Sequence, residues 1–325
     1  MKYCKLPGTG LTVSRVSLGT MTFGPQWGVS EEESVKMINY AMEKGINCID
    51  TADAYNKGIT ETILGKALKG RRNEVVLASK VFNFIGGNEL KDKGLNRWHL
   101  IKGVEDCLKR LQTDCLDIVY LHQPDYNTPL EESMAAADQL VRQGKTMYVG
   151  MSNHAAWQLC QALWITDKRN YSPPVVTQVV YNMITRGIEE EYLPFIREHR
   201  MGLLVYNPLA GGLLTGKYNI SNPPPIDTRF GQIKDYNERY WQKILLDTVE
   251  DIKKIAAEAG KKPIALAYQW LLAQPEVDSV IVGASKLSQL EENLTLWDGE
   301  LDEETLKVCD GIWDKLRGQY YRYNR

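Results

Sequence analysis

The sequence contains no long apolar run and carries little net charge. No stretch approaches the roughly 18 consecutive apolar residues of a membrane-spanning helix, so we expect no membrane insertion. The 39 Lys and Arg residues nearly balance the 41 Asp and Glu residues. The resulting net charge of −2 favours neither a nucleic-acid partner nor electrostatic docking on a membrane.

Several short motifs that mark familiar enzyme classes are also absent. The chain has no Gly-x-Ser-x-Gly, His-Glu-x-x-His, Cys-x-x-Cys or Gly-x-x-x-x-Gly-Lys-Ser/Thr sequence, which argues against a hydrolase nucleophile elbow, a zinc peptidase, a redox dithiol and a P-loop. The six cysteines are scattered without disulfide or metal-ligand spacing. We therefore expect reduced thiols, a cytoplasmic location and no metal site. The N-terminus has no apolar signal segment and is interpreted as mature protein.

Strand-like and helix-like segments alternate along the chain, which predicts an α/β fold of the (β/α)8 TIM-barrel type. Short runs rich in Val and Ile are typical of parallel strands buried on both faces. The predicted strands cover residues 15–18, 46–49, 75–79, 116–121, 146–150, 175–178, 202–205 and 279–282. The predicted helices cover residues 31–44, 60–69, 97–112, 130–143, 154–167, 188–199, 243–259 and 286–296.

A single domain spanning residues 1–325 is predicted, because barrels of this class often reach such a length as one domain. The segments outside the eight units are assigned to an N-terminal β-hairpin (2–14), long loops at the C-terminal rim (82–96 and 207–242), extra helices (263–274 and 302–316) and an aromatic, basic tail (318–325). Ser30, with Glu33 at the capping-box position, is predicted to start the first helix.

Three predicted strands are each followed by an ionisable residue, and a tyrosine lies in the loop after the first. These residues are Asp50, Lys80, His122 and Tyr55. Because parallel strands end on one face of a barrel, we expect the four side chains to meet at one rim. Taken singly, a strand-end Asp, Lys or His is more often a structural ion pair. The coincidence of all four indicates a site.

The four side chains form a consistent proton-transfer set. A phenol has an ordinary pKa of about 10, and a neighbouring ammonium lowers it by favouring the phenolate. We therefore assign Tyr55 as proton donor, Lys80 as the group that lowers its pKa, and Asp50 as the partner that keeps Lys80 charged. His122 is assigned to polarise a substrate carbonyl. Such a set has no nucleophile or metal, so it needs a bound cofactor for the redox or bond-breaking step.

The second half of the chain predicts a cofactor-binding face. Asn153 and Gln178 offer amide groups that suit a carboxamide, and Tyr206 could stack on a flat ring. The glycine-rich segment 207–218 and the helix start after residues 283–286 suit phosphate groups. Each of these signals, taken alone, is more often an ordinary loop.

The chain resembles the aldo-keto reductases over residues 3–310. The matching motifs are Leu18-Gly19-Thr20-Met21, Asp50-Thr51-Ala52-Asp53-Ala54-Tyr55, Ser79-Lys80-Val81, Leu121-His122-Gln123-Pro124-Asp125, Gly150-Met151-Ser152-Asn153, Gln178 with Tyr181-Asn182, the 206–218 segment, and Gly283-Ala284-Ser285-Lys286 with Gln289 and Glu292-Asn293. The resemblance implies a barrel that binds NADP(H) extended across its rim. It also implies reduction of aldehydes or ketones, with Tyr55 as general acid and Asp50, Lys80 and His122 as its partners.

The resemblance further implies the cofactor contacts. The nicotinamide end matches Ser152, Asn153 and Gln178, with Tyr206 as the stacking ring. The pyrophosphate matches Asn207, Pro208, Leu209, Gly212 and Lys217, joined by Arg229. The adenosine end matches Ser285, Lys286, Gln289, Glu292 and Asn293. The set is completed by Gly19, Thr20, Met21, Asp50 and Gly283. Asn207 stands where many members have Ser, and Gln289 stands where another branch has Arg, so Lys286 alone favours NADP over NAD.

Two alternatives remain beside the reductase. The 208–218 and 283–293 segments also resemble the regulatory β-subunits of voltage-gated potassium channels, which bind NADP tightly and modulate a partner. This chain could therefore be a regulatory sensor with little catalysis. A sugar dehydrogenase working in the oxidative direction would use the same residues. The complete set of four favours the enzyme. The substrate, the strength of the NADPH preference and a homo-oligomeric state are left open.

Overall fold

The computed structural model describes residues 1–218, 222–226 and 228–318, and these residues form two compact units. Unit 1 comprises Met1–Val179, Glu189–Tyr206 and Glu276–Leu290. Unit 2 comprises Val180–Ile188 and the described parts of Asn207–Pro275 and Glu291–Arg325. The tail interpreted from residues 318–325 lies outside the described residues except for Gly318. That a single domain spans the chain stays a prediction.

Unit 1 is built around a closed barrel of eight parallel strands, which confirms the predicted fold. The barrel strands are β3 (Val16–Gly19), β4 (Cys48–Asp50), β5 (Val76–Val81), β6 (Leu116–Leu121), β7 (Thr146–Ser152), β8 (Pro174–Val180), β9 (Gly202–Tyr206) and β10 (Ser279–Val282). Their spatial order is β10-β3-β4-β5-β6-β7-β8-β9. Since neighbours pair in parallel, as where Lys80 lies opposite Tyr120, the strand ends share one rim.

The predicted N-terminal hairpin is also present. Strands β1 (Tyr3–Lys5) and β2 (Thr12–Ser14) pair antiparallel, and the Leu11 carbonyl accepts from the Leu6 amide at 2.9 Å across the turn. Gly8 in that turn has φ +73°, a left-handed conformation that glycine adopts without steric cost. Leu6 and Val13 are fully buried in the cluster that includes Ala78 and Ile118 of the barrel. The hairpin therefore contributes directly to the barrel core.

Twelve α-helices lie within the described residues. They are α1 (Glu31–Glu43), α2 (Ile59–Ala67), α3 (Arg97–Leu111), α4 (Leu130–Arg142), α5 (Ala156–Arg169), α6 (Tyr192–Glu198), α7 (Arg229–Gln232), α8 (Lys234–Tyr240), α9 (Lys243–Glu258), α10 (Pro263–Ala273), α11 (Leu287–Thr295) and α12 (Glu303–Arg317). Helix α3 forms because the spacing of its apolar residues puts them on one buried face: Leu100, Val104, Cys107 and Leu111. No helix in the described part of the chain is both long and apolar enough to cross a membrane.

The start of α1 confirms one half of the predicted capping box. The Ser30 side chain accepts from the Glu33 amide at 3.1 Å, as an N-cap should. The second half of the prediction, a hydrogen bond from the Ser30 amide to the Glu33 carboxylate, is wrong. Glu33 Oε1 instead accepts from the Leu287 amide at 2.7 Å. That amide is one of the unpaired donors at the start of α11. Glu33 therefore caps a helix about 250 residues away in sequence.

The described residues of the segment 207–242 contain helices, whereas the sequence predicts a long loop there. The segment contains a 3₁₀ helix (Ala210–Thr215) and the helices α7 and α8. Three rings hold it together in unit 2: Tyr218 lies edge-to-face against Phe230 and Trp241, with centroid distances of 5.2 and 5.4 Å. Aromatic packing of this kind stabilises short helices that propensity alone would not.

Candidate active site

The ends of β4 and β5 and the turn after β4 bring Asp50, Lys80 and Tyr55 together. Lys80 Nζ donates to Asp50 Oδ1 at 2.5 Å and to Tyr55 Oη at 3.1 Å. Its third proton goes to the Thr51 carbonyl at 2.9 Å, so the ammonium uses all its donors. Asp50 and Lys80 are 2% and 1% exposed, whereas Tyr55 is half-buried. The buried ion pair therefore supports the more accessible phenol.

The Lys80 ammonium keeps its charge although it is buried. Burial alone lowers the pKa of Lys80, but the Asp50 carboxylate and the Tyr55 oxygen outweigh it and raise that pKa above its ordinary value. Asp50 is itself held from a second side, because Gln178 Nε2 donates to Asp50 Oδ2 at 2.8 Å. The sequence did not reveal this contact between β4 and β8. Because of this contact, one Asp50 oxygen accepts from the Lys80 ammonium and the other from the Gln178 amide.

His122 follows β6 and faces Tyr55. The two rings meet edge-to-face, with centroids 6.3 Å apart and an interplanar angle of 81°. Burial, together with the Lys80 ammonium, lowers the pKa of His122 from 6.5 to about 3. The buried Nδ1 has no hydrogen-bond partner among the described residues. His122 is therefore a neutral imidazole that can take part in a hydrogen bond but carries no acidic proton to transfer.

Asn153 connects several strand ends at the same rim. It has φ +62°, which Asn tolerates better than most residues, and its amide nitrogen donates to the Gln178 carbonyl. Its side chain donates to the His122 carbonyl at 3.0 Å and accepts from Tyr206 Oη at 2.7 Å. The buried Ser152 hydroxyl accepts from it as well. A carboxamide that bound to Asn153 would have to replace some of these contacts.

Asn56 is a residue at the site that the sequence analysis missed. It directly follows Tyr55, is 5% exposed and has φ +48°. Its side-chain amide donates to the Phe23 carbonyl at 2.8 Å and accepts from the Gln26 amide at 2.7 Å. Asn56 therefore fixes the turn that presents Tyr55. The Asn-Lys-Gly sequence of residues 56–58 is typical of left-handed turns and could have predicted this turn.

Predicted cofactor residues at the ends of β3 and β10 also lie in unit 1. The Thr20 hydroxyl donates to the Asp50 carbonyl at 2.9 Å, and Met21 is half-buried beside it in sequence. Within the described part of the chain, a Cβ on Gly283 would meet only the Gly19 carbonyl oxygen, at 3.6 Å, which leaves space beside that backbone. Further along, Gln289 Oε1 accepts from the Ser285 amide and hydroxyl, both at 3.1 Å. The exposed Lys286 ammonium has no partner among the described residues.

The remaining predicted cofactor residues lie in unit 2. Asn207 has φ +61° and accepts from the Gly211 amide at 2.6 Å, and Gly212 adopts a left-handed φ of +103°. Of the described residues, only Tyr218 lies within 4 Å of the position that a Cβ at Gly212 would take. Pro208 is buried, Leu209 is half-buried, Lys217 is exposed and the Arg229 guanidinium stacks on Tyr236. On α11, Asn293 is 9% exposed and the Glu292 carboxylate pairs with Lys262 at 2.8 Å.

The sequence was also compared with models of known protein families. The sequence model of the Aldo/keto reductase family matches residues 15–314, which is nearly the whole chain. The chain belongs to the aldo/keto reductase family. The resemblance inferred from the motifs is thereby confirmed.

Curated relatives of this aldo/keto reductase carry two kinds of name. A probable voltage-gated potassium channel subunit beta of Arabidopsis thaliana is 38% identical over 305 residues, covering 92% of each chain. The aldo-keto reductase YhdN of Bacillus subtilis is 36% identical over 321 residues, covering 96% of this chain and 93% of its own. An uncharacterized oxidoreductase of the same bacterium, YrpG, is 36% identical over 331 residues and 98% of each chain. Family membership and these names support an oxidoreductase.

Proposed function

We propose that this aldo/keto reductase reduces aldehydes or ketones to alcohols with NADPH, and that Tyr55 is the general acid. The observation that carries the proposal is the Lys80 ammonium, which bridges the Asp50 carboxylate and the Tyr55 oxygen at 2.5 and 3.1 Å. A structural ion pair would need only the first of these contacts. The second puts positive charge where a phenolate would form.

The residues of each unit suit the groups of NADPH. In unit 1, Gln178 and Asn153 offer amides for a carboxamide, Tyr206 offers an aromatic face, and the unpaired Lys286 ammonium offers a charge for a phosphate. In unit 2, Gly212 has a left-handed φ, and among the described residues only Tyr218 lies within 4 Å of the position of a Cβ there, so a phosphate could approach this backbone closely. When bound, NADPH supplies the hydride that the carbonyl carbon accepts.

The chain's own residues would manage the proton. Tyr55 donates its hydroxyl proton to the carbonyl oxygen as that oxygen gains negative charge. Lys80 already donates a hydrogen bond to the Tyr55 oxygen, so the phenolate forms beside a positive charge. Asp50 and the Thr51 carbonyl keep the ammonium in place. The neutral His122 assists by hydrogen-bonding the substrate oxygen, which orients the carbonyl towards Tyr55.

A second candidate function is that of an NADP-binding regulatory subunit with little catalysis. The relatives named as potassium channel subunits beta, at 37–38% identity in Arabidopsis thaliana and Oryza sativa, favour it. The same proton-transfer geometry would then serve a slow reaction that reports on the nucleotide pool. A third candidate, oxidation of a sugar alcohol, runs the proposed steps in reverse with Tyr55 as base.

A titration followed by a turnover assay separates these candidates. Quenching of protein fluorescence by NADPH and then by NADH measures the two affinities. Loss of nicotinamide absorbance with aldehydes, ketones and sugars measures reduction, and its gain with NADP⁺ and sugar alcohols measures oxidation. Tight NADPH binding with turnover on a carbonyl supports the reductase. Tight binding without turnover in either direction supports the regulatory subunit. If neither nucleotide binds, all three candidates fail.

A further inference from the structure

A second tyrosine lies inside the barrel, on the strand next to the one that carries Lys80. Tyr120 on β6 is fully buried and belongs to the core cluster of the barrel, together with Ile118 two residues earlier on the same strand. Because side chains two positions apart on a strand share one face, β6 sends Ile118 and Tyr120 inward in successive layers. The reaction proposed above gives Tyr120 no role.

Tyr120 lies in the same layer as the buried groups that support Tyr55. On three other strands, the inward residue of this layer comes two positions after a member of the core cluster: Asp50 after Cys48, Lys80 after Ala78, and Gln178 after Val176. Tyr120 lies directly opposite Lys80 where β5 pairs with β6. Lys80 and Gln178 both bind the Asp50 carboxylate, at 2.5 and 2.8 Å. Tyr120 is therefore the fourth polar side chain of this layer.

Gly150 on β7 makes room for the Tyr120 ring. The two residues lie opposite each other where β6 pairs with β7, and a Cβ at Gly150 would come within 2.4 Å of Tyr120 Cδ1 and Cε1. That distance is far below van der Waals contact, so any other residue at position 150 would displace the ring in this close-packed interior. The missing side chain at Gly150 therefore allows the ring to occupy the barrel interior.

The proton of the Tyr120 hydroxyl has no acceptor. The oxygen is buried and makes no hydrogen bond of ordinary length with any described residue. Burial, followed by the Asp50 carboxylate, raises the pKa of Tyr120 well above its usual value, although the Gln178 amide acts on the oxygen as a donor and lowers it. Tyr120 is thus a neutral phenol. A buried donor without an acceptor costs stability, and a carboxylate such as Asp50 is the acceptor that it binds most strongly.

Gln178 has two tasks in the proposed function. Its Nε2 donates to Asp50 Oδ2, and the same amide is assigned to the nicotinamide carboxamide. Asn153 does not supply a spare donor, because its Nδ2 already donates to the His122 carbonyl and the Ser152 hydroxyl. If Gln178 turned towards a carboxamide, Asp50 Oδ2 would lose its donor in a buried site, which is costly unless another donor replaces it.

We propose that Tyr120 is a positioning residue, whose hydroxyl donates a hydrogen bond to Asp50 Oδ2 when the Gln178 amide turns to a bound nicotinamide carboxamide. This inference rests on the proposed function. The exchange keeps a donor on each Asp50 oxygen, so Asp50 still holds the Lys80 ammonium beside Tyr55. Asp50 exchanges an amide donor for a hydroxyl donor, and no proton is transferred.

The first test compares two nucleotides in Tyr120→Phe, which removes only the hydroxyl. NADP⁺ carries the carboxamide, whereas 2′-phospho-ADP-ribose lacks the nicotinamide ring altogether. Isothermal titration calorimetry with the full-length protein measures both dissociation constants. We expect Tyr120→Phe to weaken NADP⁺ binding about tenfold, because a buried carboxylate oxygen is left without its donor. Binding of 2′-phospho-ADP-ribose should not change, whereas a variant with a loosened fold would bind both nucleotides more weakly.

Urea unfolding without nucleotide tests the same hydroxyl independently. The Tyr120 proton has no acceptor in the wild type, so Tyr120→Phe should leave the urea midpoint unchanged or raise it. In Gln178→Met the Asp50 oxygen needs a new donor, so adding Tyr120→Phe should lower the midpoint of that variant. Tyr148→Phe is the matched control, because Tyr148 packs against the same core cluster and lies opposite Ile118, one layer from Tyr120. It should show no dependence on Gln178 and should leave NADP⁺ binding unchanged.

The results separate the role of Tyr120 from the proposed function. The role of Tyr120 is overturned if Tyr120→Phe binds NADP⁺ as the wild type does, or if it weakens both nucleotides equally. It is also overturned if Tyr120→Phe lowers the urea midpoint as much in the wild type as in Gln178→Met. In these cases NADP⁺ binding by the wild type leaves the proposed function intact. If the wild type binds neither nucleotide, the proposed function fails and the exchange on Asp50 fails with it.

Discussion

Lys80 Nζ lies 3.1 Å from Tyr55 Oη and donates a hydrogen bond to it. The direction of this bond matters, because the phenol oxygen is the acceptor and the phenol proton takes no part in it. The same ammonium lies 4.9 Å from the centre of the Tyr55 ring. Lys80 therefore stabilises the deprotonated form of Tyr55 before any substrate arrives, which is the arrangement that a general acid needs.

Replacing Tyr55 by Phe tests this role directly. The variant loses the transferable proton but keeps the ring, so kcat for carbonyl reduction should fall by about 10²–10⁴-fold while NADPH affinity changes little. Steady-state kinetics and fluorescence titration measure the two quantities. Tyr126→Phe, at a tyrosine that is 82% exposed, is the matched control and should behave as wild type. Turnover near the wild-type rate in Tyr55→Phe would refute the assignment.

Replacing Lys80 by Met tests the buried ion pair. The change leaves the Asp50 carboxylate buried without its charged partner, and such a loss typically lowers the free energy of unfolding by about 3–5 kcal/mol. The double variant Asp50→Asn/Lys80→Met removes both charges and should recover a substantial part of that loss. Urea unfolding measures the free energy of unfolding of each variant. If the single and double variants were equally stable, the pair would contribute through packing and not through charge.

Protonation of His122 should destabilise the fold at low pH. Its pKa is about 3 in the folded chain against an ordinary value of 6.5, so the unfolded chain binds a proton that the folded chain does not in this window. Stability contributed by the neutral imidazole is present above pH 6.5 and is lost as pH falls towards 3. Between pH 7.5 and 4.5 the wild type should therefore lose about 2 kcal/mol more than His122→Gln, as measured by urea unfolding. Equal losses would show that His122 is not held neutral.

The barrel was predictable because its signals are local and repeated. Runs such as Val75–Ala78 are apolar wherever a parallel strand is covered on both faces, and the helix pattern of α3 buries one face. The helices within residues 207–242 were missed since they depend on tertiary packing of the Tyr218, Phe230 and Trp241 rings. Glu33 was misassigned for the same reason: its partner, the Leu287 amide, is distant in sequence.

The site was predictable only as far as strand ends allow. Parallel strands deliver Asp50, Lys80 and His122 to one rim whatever the loops do. The contacts that determine their chemistry are not encoded locally. The Gln178 bond to Asp50 joins residues 128 positions apart, and the burial that keeps His122 neutral depends on the whole rim. For this reason the sequence predicts which side chains share the rim better than it predicts the contacts that support them.

Asp53 should make the wild type less stable as pH rises. Its pKa is about 8 in the folded chain against an ordinary 3.8, so the folded chain holds a proton in this window that the unfolded chain has lost. Stability contributed by the neutral carboxyl is therefore present below pH 4 and is lost as pH rises towards 8. Asp53→Asn is neutral throughout, so its stability advantage over wild type should grow by roughly 3–5 kcal/mol across that range.

The matched control for Asp53→Asn is Asp278→Asn. Burial raises the pKa of Asp278 only to about 6, and its carboxylate accepts from the Leu203 amide at 2.7 Å. The stability advantage of Asp278→Asn over wild type should therefore stop growing near pH 6, whereas the advantage of Asp53→Asn should grow up to pH 8. Urea unfolding at half-unit pH steps resolves the two windows. Curves for wild type and Asp53→Asn that stay parallel from pH 4 to 8 would mean that Asp53 titrates normally, because a shifted carboxyl must separate them.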